Sequence, residues 1–159
     1  MINDNKVRAA LIQAASDFLT ANTTISTSTG DVENLPVVTS GQIAWENKKF
    51  NTQGNEAWCS VFYRPNSPTA RTIGPGGIDE MSGFMQIDFN VGTDSGELEL
   101  LSWNEKARLF FHGGRYFTND GHSVIVTSSN LGNSRVVENY FRQSLTVAFK
   151  SHLKRPQLI

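Results

Sequence analysis

The sequence predicts a single α+β domain: an antiparallel or mixed β-sheet, two main helices packed on one face, and a long loop between two central strands. Three observations predict it. Two segments repeat apolar residues at helical spacing, one near the N-terminus and one after residue 96. Several others alternate apolar and polar residues, the mark of a half-buried strand. The strand patterns mostly follow one another, which favours helices gathered on one face of a sheet.

The first helix starts near Asp4 and Asn5, which can cap it. Val7, Ala10, Leu11, Ala14 and Phe18 form its apolar face, and it ends near Thr20. The Thr- and Ser-rich segment that follows has no periodicity and reads as a loop. A short strand is expected over 42–45 and a polar turn over 51–56. Next comes WCSVFYRP from Trp58, where Cys59, Val61 and Tyr63 alternate with Trp58, Ser60, Phe62 and Arg64. The loop NSPTARTIGPGGIDE separates it from MSGFMQIDFNV. There Gln86, Asp88 and Asn90 alternate with Met85, Ile87, Phe89 and Val91, so one sheet face is apolar and the other is wet or meets a neighbour.

Gly92–Gly96 breaks that strand. Ser95 is placed to cap a second helix over 97–112, with Glu97 and Glu99 at its positive end. Leu100, Trp103, Ala107, Phe110 and Phe111 give that helix an apolar face, which Leu98, Leu101 and Leu109 widen, so it should be well covered. Gly113 and Gly114 stop it. Asn119-Asp120-Gly121 predicts a hairpin turn, because these residues tolerate positive φ. A closing strand is expected from Val136 to about His152. One domain spans 1–159, with 1–3 and 153–159 as flexible ends.

Composition excludes several functions. The 14 basic and 15 acidic side chains leave a formal charge of -1, without the basic excess of a nucleic-acid reader or a polybasic membrane anchor. No run is long and apolar enough for a membrane span, and the N-terminal pattern lacks a signal peptide's unbroken apolar core. The single cysteine, Cys59, cannot form an intramolecular disulfide and reads as a buried, inert thiol. His112, His122 and His152 have no metal-ligand spacing, so no metal or cofactor is expected. Thr93-Asp94-Ser95-Gly96 only partly matches a serine-protease nucleophile motif, and Gly74-Pro75-Gly76-Gly77 leads into Asp79 and Glu80, which would repel phosphate. No set of residues supplies nucleophile, base and orienter together, so the chain reads as a non-enzyme. The loop, with Arg64, Arg71, Asp79 and Glu80 around flexible glycines, reads as a protein docking element that assembly orders.

An ordered series of features carries a family resemblance. A short N-terminal helix leads to WENKKF, then to the aromatic-rich strand WCSVFYRP. After the loop come SGFMQIDFNVGTDSG, a helix ending in LFFHGG, a hairpin and the closing strand YFRQSLTVAF. In this series, over roughly 45–150, the chain resembles the tail terminator proteins of long, non-contractile-tailed bacteriophages. The resemblance implies a structural virion protein, assembled in the host cytoplasm, that forms a hexameric ring on the head-proximal end of the tail tube. Such a ring stops tube polymerisation and offers a surface to neck or head-completion proteins. Implied partners are further copies of the chain, the tail tube protein and a neck protein; no catalytic residue or cofactor is implied. A related neck, head–tail joining or tail tube subunit is the nearest competitor. A soluble ligand-binding module stacking sugars on Trp58, Tyr63 and Tyr116 is a more distant one, and a hydrolase built on Ser95 another.

Overall fold

The computed structural model describes residues 2–20, 24–26, 32–34, 43–46, 50, 57–92 and 97–155. Helix α1 (Ile2–Leu19) leads into a small hairpin of β1 (Thr24–Ser26) and β2 (Val32–Asn34). Then come β3 (Ile43–Trp45), β4 (Trp58–Pro65), β5 (Thr69–Ala70) and β6 (Ile78–Gly92). Helix α2 (Glu97–Phe110) is followed by β7 (Tyr116–Asn119), β8 (His122–Leu131), β9 (Arg135–Val137) and β10 (Tyr140–Lys154).

The larger sheet has eight strands in the order β3-β4-β6-β10-β8-β7, with β5 also pairing β6 and β9 also pairing β10. Among the described strands only β3 and β4 run parallel, so the sheet is mixed. Its spine is the pair β6–β10, fifteen residues each, in unbroken antiparallel register from Tyr140↔Gly92 to Lys154↔Ile78. Period-two alternation along that spine decides the core. Met85, Ile87, Phe89 and Val91 of β6 and Leu145, Val147 and Phe149 of β10 are buried with α1 and α2. Phe18 of α1 packs on Phe89, Phe110 and Phe111, with ring centroids 6.4, 5.2 and 5.9 Å away. Tyr63 stacks on Phe149 at 5.5 Å. Rings thus join both helices to the sheet.

Several local expectations change. Helix α1 starts at Ile2, so Asp4 and Asn5 lie in its first turn and do not precede it. The Thr/Ser-rich segment holds the β1–β2 hairpin, because strand pairing supplies order that a lone segment does not reveal. Leu109 is about half exposed, so α2 is less fully covered than its leucines imply. Val136 and Val137 belong to β9, which folds back on β10 through a turn with Glu138 at positive φ. Strand β10 runs on to Lys154 and buries Leu153. The expected turn does form: Asp120 and Gly121 both have positive φ between β7 and β8. Ser95 and its proposed cap lie outside the described residues.

The polar sheet face is not wet at its centre. Asp88, with Ser60 and Ser144 directly across the ladders, is buried, as is Asn90. These groups satisfy one another. Ser144 Oγ donates to Asp88 Oδ1 at 2.5 Å, Gln86 Nε2 to the same oxygen at 2.8 Å, and Arg142 Nε to Asn90 Oδ1 at 2.7 Å. The pattern identified the face correctly, but pairing among its own side chains lets it be covered.

Candidate assembly interface

Beyond Pro65 the chain continues along β6 as an arm, whose β6 side stays paired with β10 as far as Lys154↔Ile78. Asn66 N–H bonds Ser82 O at 2.8 Å, then Thr69 and Ala70 pair with Glu80 and Asp79. The chain turns over 71–77, where Gly74 and Gly76 have positive φ. Ile78 N–H donates to Thr72 Oγ1 at 2.7 Å, and Arg71 N–H to Ile78 O at 2.8 Å. The connection read from sequence as one long loop therefore contains β5 and is a laddered hairpin over much of its length. Asp79 and Glu80 stand in β6, and Arg64 stands in β4.

All four charged residues chosen from sequence have partners within the chain. Arg71 Nη2 lies 3.1 Å from Glu80 Oε2, and His152 Nε2 lies 3.2 Å from the same oxygen. Asp79 Oδ1 pairs with Arg155 Nε at 3.2 Å, and the Arg155 guanidinium also donates to Thr72 O. Arg64 Nη1 meets Glu46 Oε2 at 2.8 Å. Arg71, Asp79 and Glu80 are thus brought together and tied to the end of β10, while Arg64 belongs to a separate pair at the arm's base. Sequence reasoning missed Arg155, His152 and Glu46, since only the register of β10 on β6 and of β3 beside β4 brings them near.

Glu46 does a second job. The carboxylate accepts the Tyr63 N–H on the side of β4 left open where β3 stops. Burial raises its pKa, but the Tyr63 N–H, the Arg64 guanidinium and the Arg8 charge outweigh that and hold it below its ordinary value. A side chain thus takes the place of a strand neighbour for that amide.

At the arm's tip Ile73 is fully exposed, and Ile78 and Phe84 along β6 are also exposed. Ile73 lies outside the charged set that the sequence points to, although an isoleucine in a Gly/Pro turn is a signal of an exposed apolar contact. The aromatic trio weighed for sugar stacking is scattered. Tyr63 is buried with the helices, Trp58 packs between Phe50 and Tyr140, and Tyr116 is exposed on β7. Cys59 is fully buried, and burial, with the Asp88 charge adding to it, pushes its thiol far above the ordinary value.

The family model for the phage tail terminator protein matches residues 6–149. The chain belongs to that family. Membership makes it a structural component of a phage tail that works against other tail proteins. No curated protein sequence matches it. One solved chain resembles this chain with a TM-score of 0.68 at 14% identity, over 95% of this chain and 96% of the other. At that identity the likeness shows a shared fold alone. The family match spans α1 to Phe149 and therefore includes the whole arm. Among the described residues, no helix is long and apolar enough to cross a membrane.

Proposed function

We propose that the chain forms a ring on the head-proximal end of a non-contractile tail tube, stops tube growth there, and offers its other surface to a neck protein. The observation that carries this reading is the family match over residues 6–149. The reading assigns the chain no catalysis. Its partners are further copies of itself, in a six-membered ring as the family resemblance implies, the tube protein and the neck protein. It is a virion component of a siphovirus-type particle.

Ring closure needs two different complementary patches on each subunit. The arm supplies one, set against the tube or the adjacent subunit. In this reading Arg64, Arg71, Asp79 and Glu80 are interface residues. They stiffen the arm through their internal pairs and present Ile73 for burial. Charged pairs at such a rim set orientation and partner choice more than affinity.

The test is assembly. Tube protein polymerised with the purified chain gives tails of uniform length, each ending in a ring under the electron microscope. Uniform tubes without the chain, or uncontrolled lengths with it, overturn the reading. A ring found at the capsid portal and never on tubes would identify a neck subunit instead.

A further inference from the structure

One row of side chains crosses four strands on the sheet face away from the helices. Trp58 of β4 stands opposite Asn90 of β6, Asn90 opposite Arg142 of β10, and Arg142 opposite Arg135 of β9. The last pair sets two arginines directly across an antiparallel ladder, where like charges repel. No carboxylate belongs to the row. Among the described residues neither arginine forms an ion pair, and neither does Glu138 in the hairpin turn. Asp88, two residues along β6 from Asn90, is engaged by Ser144 and Gln86.

Arg142 is held in place, while Arg135 is exposed. Arg142 Nε donates to Asn90 Oδ1 at 2.7 Å, and its guanidinium lies over the Trp58 ring, 5.8 Å from the centroid. Trp58 is itself fixed between Phe50 and Tyr140. These contacts orient the guanidinium fork through its Nε edge and leave its two terminal nitrogens without a hydrogen bond among the described residues. Directly opposed residues of an antiparallel pair have Cα atoms about 5 Å apart, so both guanidiniums reach one small anion. Two neighbouring cations without a counter-charge repel in the free chain, and an anion between them removes that repulsion.

We propose that Arg135 and Arg142 form a two-pronged site for a carboxylate side chain presented by an assembly partner. Arg142 meets the carboxylate with its two terminal nitrogens, a bidentate contact for which its planar fork is suited, and Arg135 closes on the other side. Val137, on the same face as Arg135 and opposite Tyr140, flanks the site with apolar surface. Duplex nucleic acid fits less well, because the site holds two cations beside the exposed Glu138 and the chain carries a formal charge of -1. The proposal rests on the assembly reading for the origin of the carboxylate. It supplies a second patch on the β9–β10 hairpin that differs from the arm in chemistry: the arm's charges are paired within the chain, and the two arginines are not.

The test uses the full chain with a fluorescent hexaglutamate peptide and a hexaglutamine control. Anisotropy at low salt should show the glutamate peptide binding at least about tenfold more tightly. Arg135→Gln should lose most of that difference, and Lys150→Gln, which removes the same charge elsewhere, should lose less than about twofold. The Nε–Hε signals of Arg135 and Arg142 in the NMR spectrum of the wild-type chain should shift when the peptide is added, while those of Arg71 and Arg155 stay in place. Arg142→Gln should weaken binding as Arg135→Gln does; if it unfolds the chain, Arg135→Gln and the arginine signals decide. Equal binding of hexaglutamine, equal losses in Arg135→Gln and Lys150→Gln, or unshifted Arg135 and Arg142 signals each overturns the proposal. So does tighter binding of a duplex oligonucleotide, or displacement of the peptide by millimolar inorganic phosphate at matched ionic strength. Tail-length control is read without the peptide, so failure here leaves the ring reading standing. Uncontrolled tails with intact peptide binding would strike the ring reading instead.

Discussion

Gly83 lies in β6 opposite Pro65, where β4 leaves its ladder. A Cβ there would meet the Arg64 carbonyl oxygen and come within 2.8 Å of Pro65 Cα, both backbone atoms that cannot swing away. Gly83→Ala should therefore cost roughly 1–3 kcal/mol, read as a fall in the urea midpoint, by forcing the arm's root off the sheet. Glu46 gives a second residue-scale expectation. Its carboxyl is held below its ordinary value in the fold, so its contribution is complete above the unfolded pKa of about 4.3 and is lost as pH falls through the folded value. Stability measured from about pH 5.5 down to about pH 3, a window that spans that pKa, should fall less steeply in Glu46→Gln than in wild type; parallel curves would remove the edge-capping role. Cys59 should react with a thiol reagent only as fast as the chain opens, because the sulfur is fully buried and its pKa is raised. Rapid labelling of the native chain would contradict that burial.

At the element scale the arm separates stability from assembly. Ile73 touches solvent on all sides, so Ile73→Asp should leave the unfolding midpoint within about 0.5 kcal/mol of wild type. The same variant should lose tail-length control in complementation. Reversing Arg71 together with Asp79 puts Glu80 opposite a carboxylate and Arg155 opposite a cation. Exposed pairs of this kind contribute about 0.2–1 kcal/mol each, so the fold should survive while termination fails. Normal tail length and infectivity in that double variant would remove the arm from the interface. Sequence reading expected a loop that assembly orders; the ladder from Thr69↔Glu80 and Ala70↔Asp79 shows an arm paired in the free chain. Its hairpin partner was hard to see because β5 is only two residues long.

At the scale of the whole molecule, one face of the sheet carries both helices, while the arm leaves Ile73 exposed at its tip. Two unlike patches on one subunit favour head-to-tail contacts, which close into rings when the rotation permits. A chain that is monomeric in dilute solution and ringed on tubes fits this geometry, since contacts made on the tube add to those between neighbours. Sedimentation of the free chain and imaging of terminated tubes test the pair of expectations. Rings absent from both would leave the family assignment intact and remove the ring mechanism from this chain.

Residue type alone determined the Asp120-Gly121 turn. Periodicity determined the two helices, the strands around Trp58 and Gln86 and the face each strand buries. These depend on repeats of two or about four residues, which short stretches of sequence carry in full. The ordered series of motifs also sufficed for the family. Only the tertiary structure decided which charges meet. Arg155 reaches Asp79, His152 reaches Glu80 and Ser144 reaches Asp88 through the register of β10 on β6, a pairing of segments more than fifty residues apart. A one-residue slip would break all three contacts, and no local pattern encodes which register wins.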